Sequence, residues 1–161
     1  LVVTSRWAVV CGDDHSVEIL RIRSDMKIIV IRGLPGAGKT RLRTEKYPDL
    51  PCLDMAELRK QTENTYAGWR ESMHILFNEL FNHMHAGSSA VVVEGIFQDE
   101  TASLTWLQNY CHDRDIDVEL ESAEAPFDVL VSRLLKDYQD DKDLLRLIGR
   151  TYLAAKYAGG F

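Results

Sequence analysis

Residues Gly33-Leu34-Pro35-Gly36-Ala37-Gly38-Lys39-Thr40 fit the pattern G-x-x-x-x-G-K-[ST], and the apolar run Ile28-Ile29-Val30-Ile31 precedes them almost directly. A strand-like run entering glycines, with a helix-compatible segment leaving them, commits the chain to an α/β fold with a strand-loop-helix unit at its centre. Glycines let the backbone curl so that several N–H groups point inward at phosphate oxygens, and the following helix adds its positive end. Gly33 to Thr40 are therefore the expected cradle of a nucleotide triphosphate with magnesium. Lys39 is expected to reach the β and γ phosphates, and Thr40 to offer its hydroxyl to the metal.

The 161 residues suffice for one domain, and 45% hydrophobic residues supply its core. Residues 1–25 read as an extension to a phosphate-binding domain at 26–161. Within them Trp7-Ala8-Val9-Val10 and Val17-Glu18-Ile19-Leu20 flank Gly12-Asp13-Asp14-His15, the pattern of a β-hairpin with a polar turn that extends or covers a sheet edge. Asp13, Asp14 and His15 read as that turn rather than as metal ligands. A net charge of −6 gives no global basic field for a nucleic-acid backbone, though a local site for one 5′ end needs none. Cys11, Cys52 and Cys111 lack metal or redox spacing, and their odd number argues against a disulfide scaffold, so a reduced, cytoplasmic setting is expected. No apolar run reaches membrane-spanning length, and no membrane partner is expected.

Further strands follow in order. Pro48 and Pro51 end the first helix and lead to a short strand at Cys52-Leu53, with Asp54 at its carboxyl end. Ligands of open α/β folds lie beyond the carboxyl ends of strands, so Asp54 is a candidate for receiving or aligning an acceptor hydroxyl. The same Asp54, with Glu57 three residues on, also matches a helix-capping box. Residues 55–86 read as helix with a break near Asn64 to Gly68, and Trp69, Met73, Leu76, Phe77, Leu80, Phe81 and Met84 form a core-facing stripe. Arg59 is the best basic candidate for the acceptor side, against the alternative of a solvated helix arginine. Arg41 and Arg43 leave the first helix on different faces, toward phosphate or toward water.

Ala90 to Val93 make another buried strand, and Glu94 follows it. A carboxylate there is placed to hold a magnesium-bound water beside Thr40 or to touch the acceptor hydroxyl, and being buried it needs a cation or several donors nearby. Phe97, Gln98 and Asp99 extend into the expected pocket rim. Thr101 caps a helix carrying Leu104, Trp106 and Leu107, docked by Tyr110, and Ile116 to Leu120 alternate as a strand. Pro126 opens a helix through Lys136, followed by a charged connection and a last apolar stripe from Leu144 to Leu153. That connection, near 133–142, reads as a lid in which Arg133 stabilises the equatorial oxygens of a transferring phosphoryl group and Lys136 assists. The plainer reading is a charged helix-helix turn. Arg146 and Arg150 have no assigned partner.

From residue 26 to residue 153 the chain resembles the small P-loop kinases grouped with the polynucleotide 5′-hydroxyl kinase domain. The motifs are GLPGAGKT at 33–40, LDMAELR at 53–59, VVVEG at 91–95 and APFDVLVSRLLK at 125–136. The resemblance implies a three-layer P-loop NTPase fold with a mainly parallel central sheet and helices on both faces. It also implies that Lys39 and Thr40 bind phosphate and magnesium, that Arg59 contacts the acceptor phosphate, and that Arg133 is a lid arginine. Two departures stand out. With the arginines aligned, Ala56 falls where the family carries its catalytic aspartate, and Asp137 stands where the lid would carry a second arginine. The expected activity is direct transfer of the γ-phosphoryl group of ATP to an acceptor hydroxyl, with a nucleoside or other small molecule favoured over a polynucleotide 5′ end. Asp54 or Glu94 then positions the acceptor. A non-kinase ATP- or GTP-binding regulator is the remaining class, with a GTP switch disfavoured because no N-K-x-D segment is present.

Overall fold

The computed structural model describes residues 26–97 and 102–137 with their side chains, the strand backbone of 2–4, 7–11 and 17–21, and residues 139–142, 145, 149 and 153. The expectations placed on Asp13, Asp14, His15, Gln98, Asp99, Thr101, Arg146 and Arg150, and on most of the last apolar stripe, lie outside the described residues.

Strands β2 (Trp7–Cys11) and β3 (Val17–Arg21) pair antiparallel from Trp7 opposite Arg21 to Cys11 opposite Val17, forming the expected hairpin. A further strand, β1 (Val2–Thr4), pairs on the other side of β2. These three strands make a sheet of their own, so of the two expected roles the hairpin does not extend the central sheet. Val2 to Thr4 pair with one side of β2 and β3 with the other, so β2 is the central strand of this sheet.

The central sheet contains β4 (Lys27–Arg32), β5 (Cys52–Asp54), β6 (Ala90–Gly95) and β7 (Asp117–Ser122), all parallel in the order β5-β6-β4-β7. Parallel neighbours require crossovers, and the helices supply them: α1 (Lys39–Lys46), α2 (Met55–Arg59), α3 (Tyr66–His85) and α4 (Ala102–His112), with α5 (Phe127–Asp137) after β7. Side chains alternate across the pleat. Ile28, Val30, Val91 and Val93 pack with Met73, Leu76, Leu80, Leu104 and Leu107 on one face, whereas Ile29, Ile31 and Val92 meet Leu42, Tyr47 and Leu50 on the other. This produces the three-layer arrangement.

Details of the helical stripe follow its geometry. Met73, Leu76 and Leu80 are fully buried and Trp69, Phe77 and Met84 pack beside them, but Phe81 is 43% exposed at the stripe's flank. The break spans 60–65, slightly ahead of the expected place, because Thr65 caps α3 by accepting the Gly68 N–H at 3.1 Å. Tyr110 docks α4 on α3, its ring stacked 4.6 Å from that of Phe77 and its hydroxyl donating to the Phe77 carbonyl at 3.1 Å. Among the described residues, no helix is long and apolar enough to cross a membrane.

Register sets up the functional edge. Ile31 lies opposite Glu94 and Asp54 lies opposite Glu94 from the other side, so the carboxyl ends of β4, β6 and β5 stand abreast. The chain leaves β4 toward β5 and leaves β6 toward β7, in opposite directions across the sheet. A crevice opens at such a divergence.

Candidate functional site

Gly33, Gly36 and Gly38 all have positive φ, at 152°, 78° and 97°. At Gly33 the requirement is also steric, because a Cβ there would stand 2.4 Å from the Ala123 carbonyl oxygen beyond β7. Leu34 and Ala37, between the glycines, pack against Ala123, Leu130 and Leu134. The loop is thus clamped by α5, and Arg133 adds a polar tie by donating from Nη1 to the Gly36 carbonyl at 2.7 Å.

Lys39 lies beneath the loop, donating to the carbonyls of Gly33 at 2.9 Å and Leu34 at 3.1 Å. Burial pushes its ammonium pKa below the ordinary value, and the nearby charges of Glu94 and Asp54 counter part of that shift. An anion entering the loop would relieve the same penalty.

Thr40 donates its hydroxyl proton to Glu94 Oε1 at 2.7 Å. Since that proton is committed, the hydroxyl lone pairs remain free to face a cation. Glu94 is only 4% exposed and meets the expected requirement for buried charge, with Thr40 on one oxygen and Arg43 Nε 3.5 Å from the other. A hydroxyl and a carboxylate, both hard oxygen donors, suit magnesium, which keeps most of its shell for water and phosphate. Thr40 and Glu94 are the residues that would hold it.

Gly36, Gly38, Lys39, Thr40, Arg41, Glu94, Arg133 and Asp137 line one cleft of about 300 Å³ at this edge. Three cations against two carboxylates give it a positive balance suited to a polyanion. Arg41 also pairs with Glu45 at 2.6 Å on the exposed side of α1. Asp137 had appeared in the sequence only as a departure from a family pattern. Its position four residues after Arg133, one helical turn along the same face, was the available signal.

The acceptor candidates are placed differently. Asp54 caps α2, accepting the Ala56 N–H on Oδ1 at 2.7 Å, while Glu57 binds Lys60 at 2.6 Å. It acts electrostatically on Lys39 but is not part of the cleft lining. Arg59 donates to Thr62 Oγ1 and Asn64 Oδ1, each at 3.3 Å, bracing the turn between α2 and α3 away from that lining. Lys136 is exposed and likewise outside it. Phe97 was expected at the pocket rim, but it is 3% exposed and packs in the core among the α3 and α4 side chains. A large aromatic ring next to a strand end gains more by joining that core than by facing water.

No family model matches the sequence, and no curated protein sequence matches it. Among solved structures, an inferred kinase from Chloroflexus aurantiacus superposes with a TM-score of 0.60 at 18% identity, over 71% of this chain and 67% of that one. A chain of the Pnkp1/Rnl/Hen1 RNA repair complex superposes at 0.58 with 13% identity, over 70% of this chain and 37% of that one. Another structure of the Pnkp1/Rnl/Hen1 complex gives 0.53 and 16%, over 66% of this chain and 38% of that one. These matches show the fold alone, a four-stranded parallel sheet wrapped by helices. The match spans little more than a third of the RNA repair chains.

Proposed function

We propose that this protein is an ATP- and magnesium-dependent kinase that transfers the γ-phosphoryl group to an acceptor hydroxyl of a nucleoside or other small molecule. One observation carries the reading: Lys39, the Thr40–Glu94 pair and Arg133, brought from α1, β6 and α5, all face a single cleft around the glycine loop. In phosphoryl transfer the protein mainly positions the reactants and stabilises charge, and these are the groups for that task.

When triphosphate enters, Lys39 exchanges the Gly33 and Leu34 carbonyls for phosphate oxygens, and Arg133 exchanges the Gly36 carbonyl for the equatorial oxygens of the moving group. Magnesium, which Thr40 and Glu94 would hold, would supply charge neutralisation for the phosphates. Glu94 has both oxygens engaged, by Thr40 and Arg43, which leaves Asp54 as the better carboxylate for the acceptor. Its Oδ1 holds the α2 cap, and Oδ2 is available to align the acceptor hydroxyl and take its proton. The O–H bond breaks, the acceptor oxygen bonds to γ-phosphorus, and ADP leaves with the bridging oxygen. No phosphoenzyme forms. Arg59 would take an acceptor phosphate by releasing two long hydrogen bonds, and this also keeps a polynucleotide 5′-hydroxyl as the alternative acceptor.

The test is incubation of labelled ATP and magnesium with 5′-hydroxyl oligonucleotides in one arm and a nucleoside and metabolite panel in the other. Labelled product with stoichiometric ADP is expected in the second arm. Label in the oligonucleotide arm alone would replace the small-molecule acceptor with a polynucleotide end. Nucleotide binding with no acceptor-dependent ADP would leave a nucleotide-binding regulator instead of a kinase.

A further inference from the structure

Glu94 is the most buried carboxylate among the described residues, and its two oxygens are divided between two side chains of α1. Oε1 accepts from Thr40 at 2.7 Å, and Oε2 lies 3.5 Å from Arg43 Nε. Thr40 and Arg43 are three residues apart, so both project from one side of α1 toward the end of β6. Arg43 is turned inward, with 27% of its side chain exposed and its Nε shielded from solvent without a hydrogen-bond partner. An arginine of a surface helix normally keeps its head in water. Here the guanidinium remains within ion-pair distance of one carboxylate oxygen, close enough for a small rotation to complete the bond.

Lys39 gives this placement a consequence. Glu94 also attracts the Lys39 ammonium, which sits beneath the loop where phosphate oxygens must be met. With no second cation, the carboxylate would be drawn toward Lys39 and away from Thr40. Arg43 lies 3.5 Å from the other oxygen, so its charge pulls against that of Lys39. Its planar, permanently charged fork suits that role better than a flexible ammonium.

We infer that Arg43 is a positioning residue for Glu94: it holds Oε2 so that Oε1 stays on the Thr40 hydroxyl and the Thr40 lone pairs stay turned into the cleft. The inference rests on the nucleotide reading above and adds to it the group that orients the residues which would hold magnesium. Arg43 is not part of the cleft lining.

The experiment titrates fluorescently labelled ATP into the full chain, in EDTA and in magnesium, for wild type, R43M, R43K, E94Q and the R43M/E94Q double variant. Wild type is expected to bind more tightly in magnesium. R43M should lose about tenfold of that magnesium-dependent gain while keeping the weaker binding seen in EDTA, as removal of an outer-sphere partner does elsewhere. R43K should recover part of it, and R43M should add nothing once E94Q is present. A full magnesium gain in R43M, or a loss of equal size in the E94Q background, would overturn the inference with the nucleotide reading intact. Wild type that binds no labelled ATP would overturn both. Thermal melting without ligand checks that each variant folds, and R43Q replaces R43M if the latter does not.

Discussion

The glycine loop and the segment after β5 meet at the same sheet edge, but their polar groups are used in opposite ways. Around the loop, bonds join distant parts of the chain: Thr40 to Glu94 across 54 residues and Arg133 to Gly36 across 97. After β5 the bonds are local, with Asp54 holding residue 56 and Arg59 holding residues 62 and 64. In the proposed kinase the Thr40–Glu94 bond persists through the reaction and preorganises the site, while the Arg133–Gly36 bond holds the arginine beside the loop until phosphate replaces the carbonyl. Local bonds at a helix cap and a surface turn can be exchanged for a substrate. On the proposed reading the donor half is therefore largely built in advance, and the acceptor half is free to adapt.

The most severe way to break this contrast is K39A, which removes the donor from under the loop. Phosphoryl transfer should fall by at least about a hundredfold with the fold retained by circular dichroism. Undiminished turnover would refute the site. R133A should come next, lowering kcat by about a hundredfold, or roughly 3 kcal/mol, with nucleotide affinity less affected. Equal losses in affinity and kcat would make Arg133 a ground-state ligand of the loop rather than a group acting on the transferring phosphoryl.

D54N tests the adaptable half. Asparagine still caps a helix, so stability should be nearly unchanged while kcat falls about tenfold or more. D54A should add a loss of about 1 kcal/mol in urea unfolding from the missing cap. Full activity in D54N together with loss in E94Q would move acceptor positioning to Glu94.

The smallest expected effect concerns how α1 is anchored. Lys46 and the Tyr47 hydroxyl both bond the Glu121 carboxylate on β7, and these bonds lower its pKa below the usual carboxylate value. The same carboxylate pushes the Tyr47 phenol up to about 12. A carboxylate with a depressed folded pKa contributes stability that is present above its unfolded pKa and is lost as pH falls through the folded one. E121Q should therefore flatten the acid limb of stability below about pH 4.5 and leave phosphoryl transfer at pH 7 intact. Urea melts of both proteins between pH 3 and 7 would check it, and superimposable acid limbs would remove Glu121 from the account.

Legibility in the sequence followed the same divide between local and distant. The Asp54 cap was readable because its partner is two residues away, and β4 because four apolar residues abut the glycines. The inward turn of Arg43 was not readable, since α1 has no fully buried residue to mark which face meets the sheet. Val2 to Thr4 escaped notice because three residues are too few to show a period of two. Phe97 was misplaced because it follows a site residue, whereas the core beneath α3 and α4 claims its ring.

The sequence by itself determined the loop, because a contiguous motif sets its own backbone and carries its own lysine and threonine. It also determined the kind of residue at each strand end. Tertiary structure alone decided which of these meet: the register that puts Ile31 and Asp54 on either side of Glu94, the face of α1 that brings Arg43 to that carboxylate, and the packing of α5 that brings Arg133 and Asp137 to the loop. Pairings across 40 or more residues depend on strand order and helix docking, and no local pattern encodes those directly.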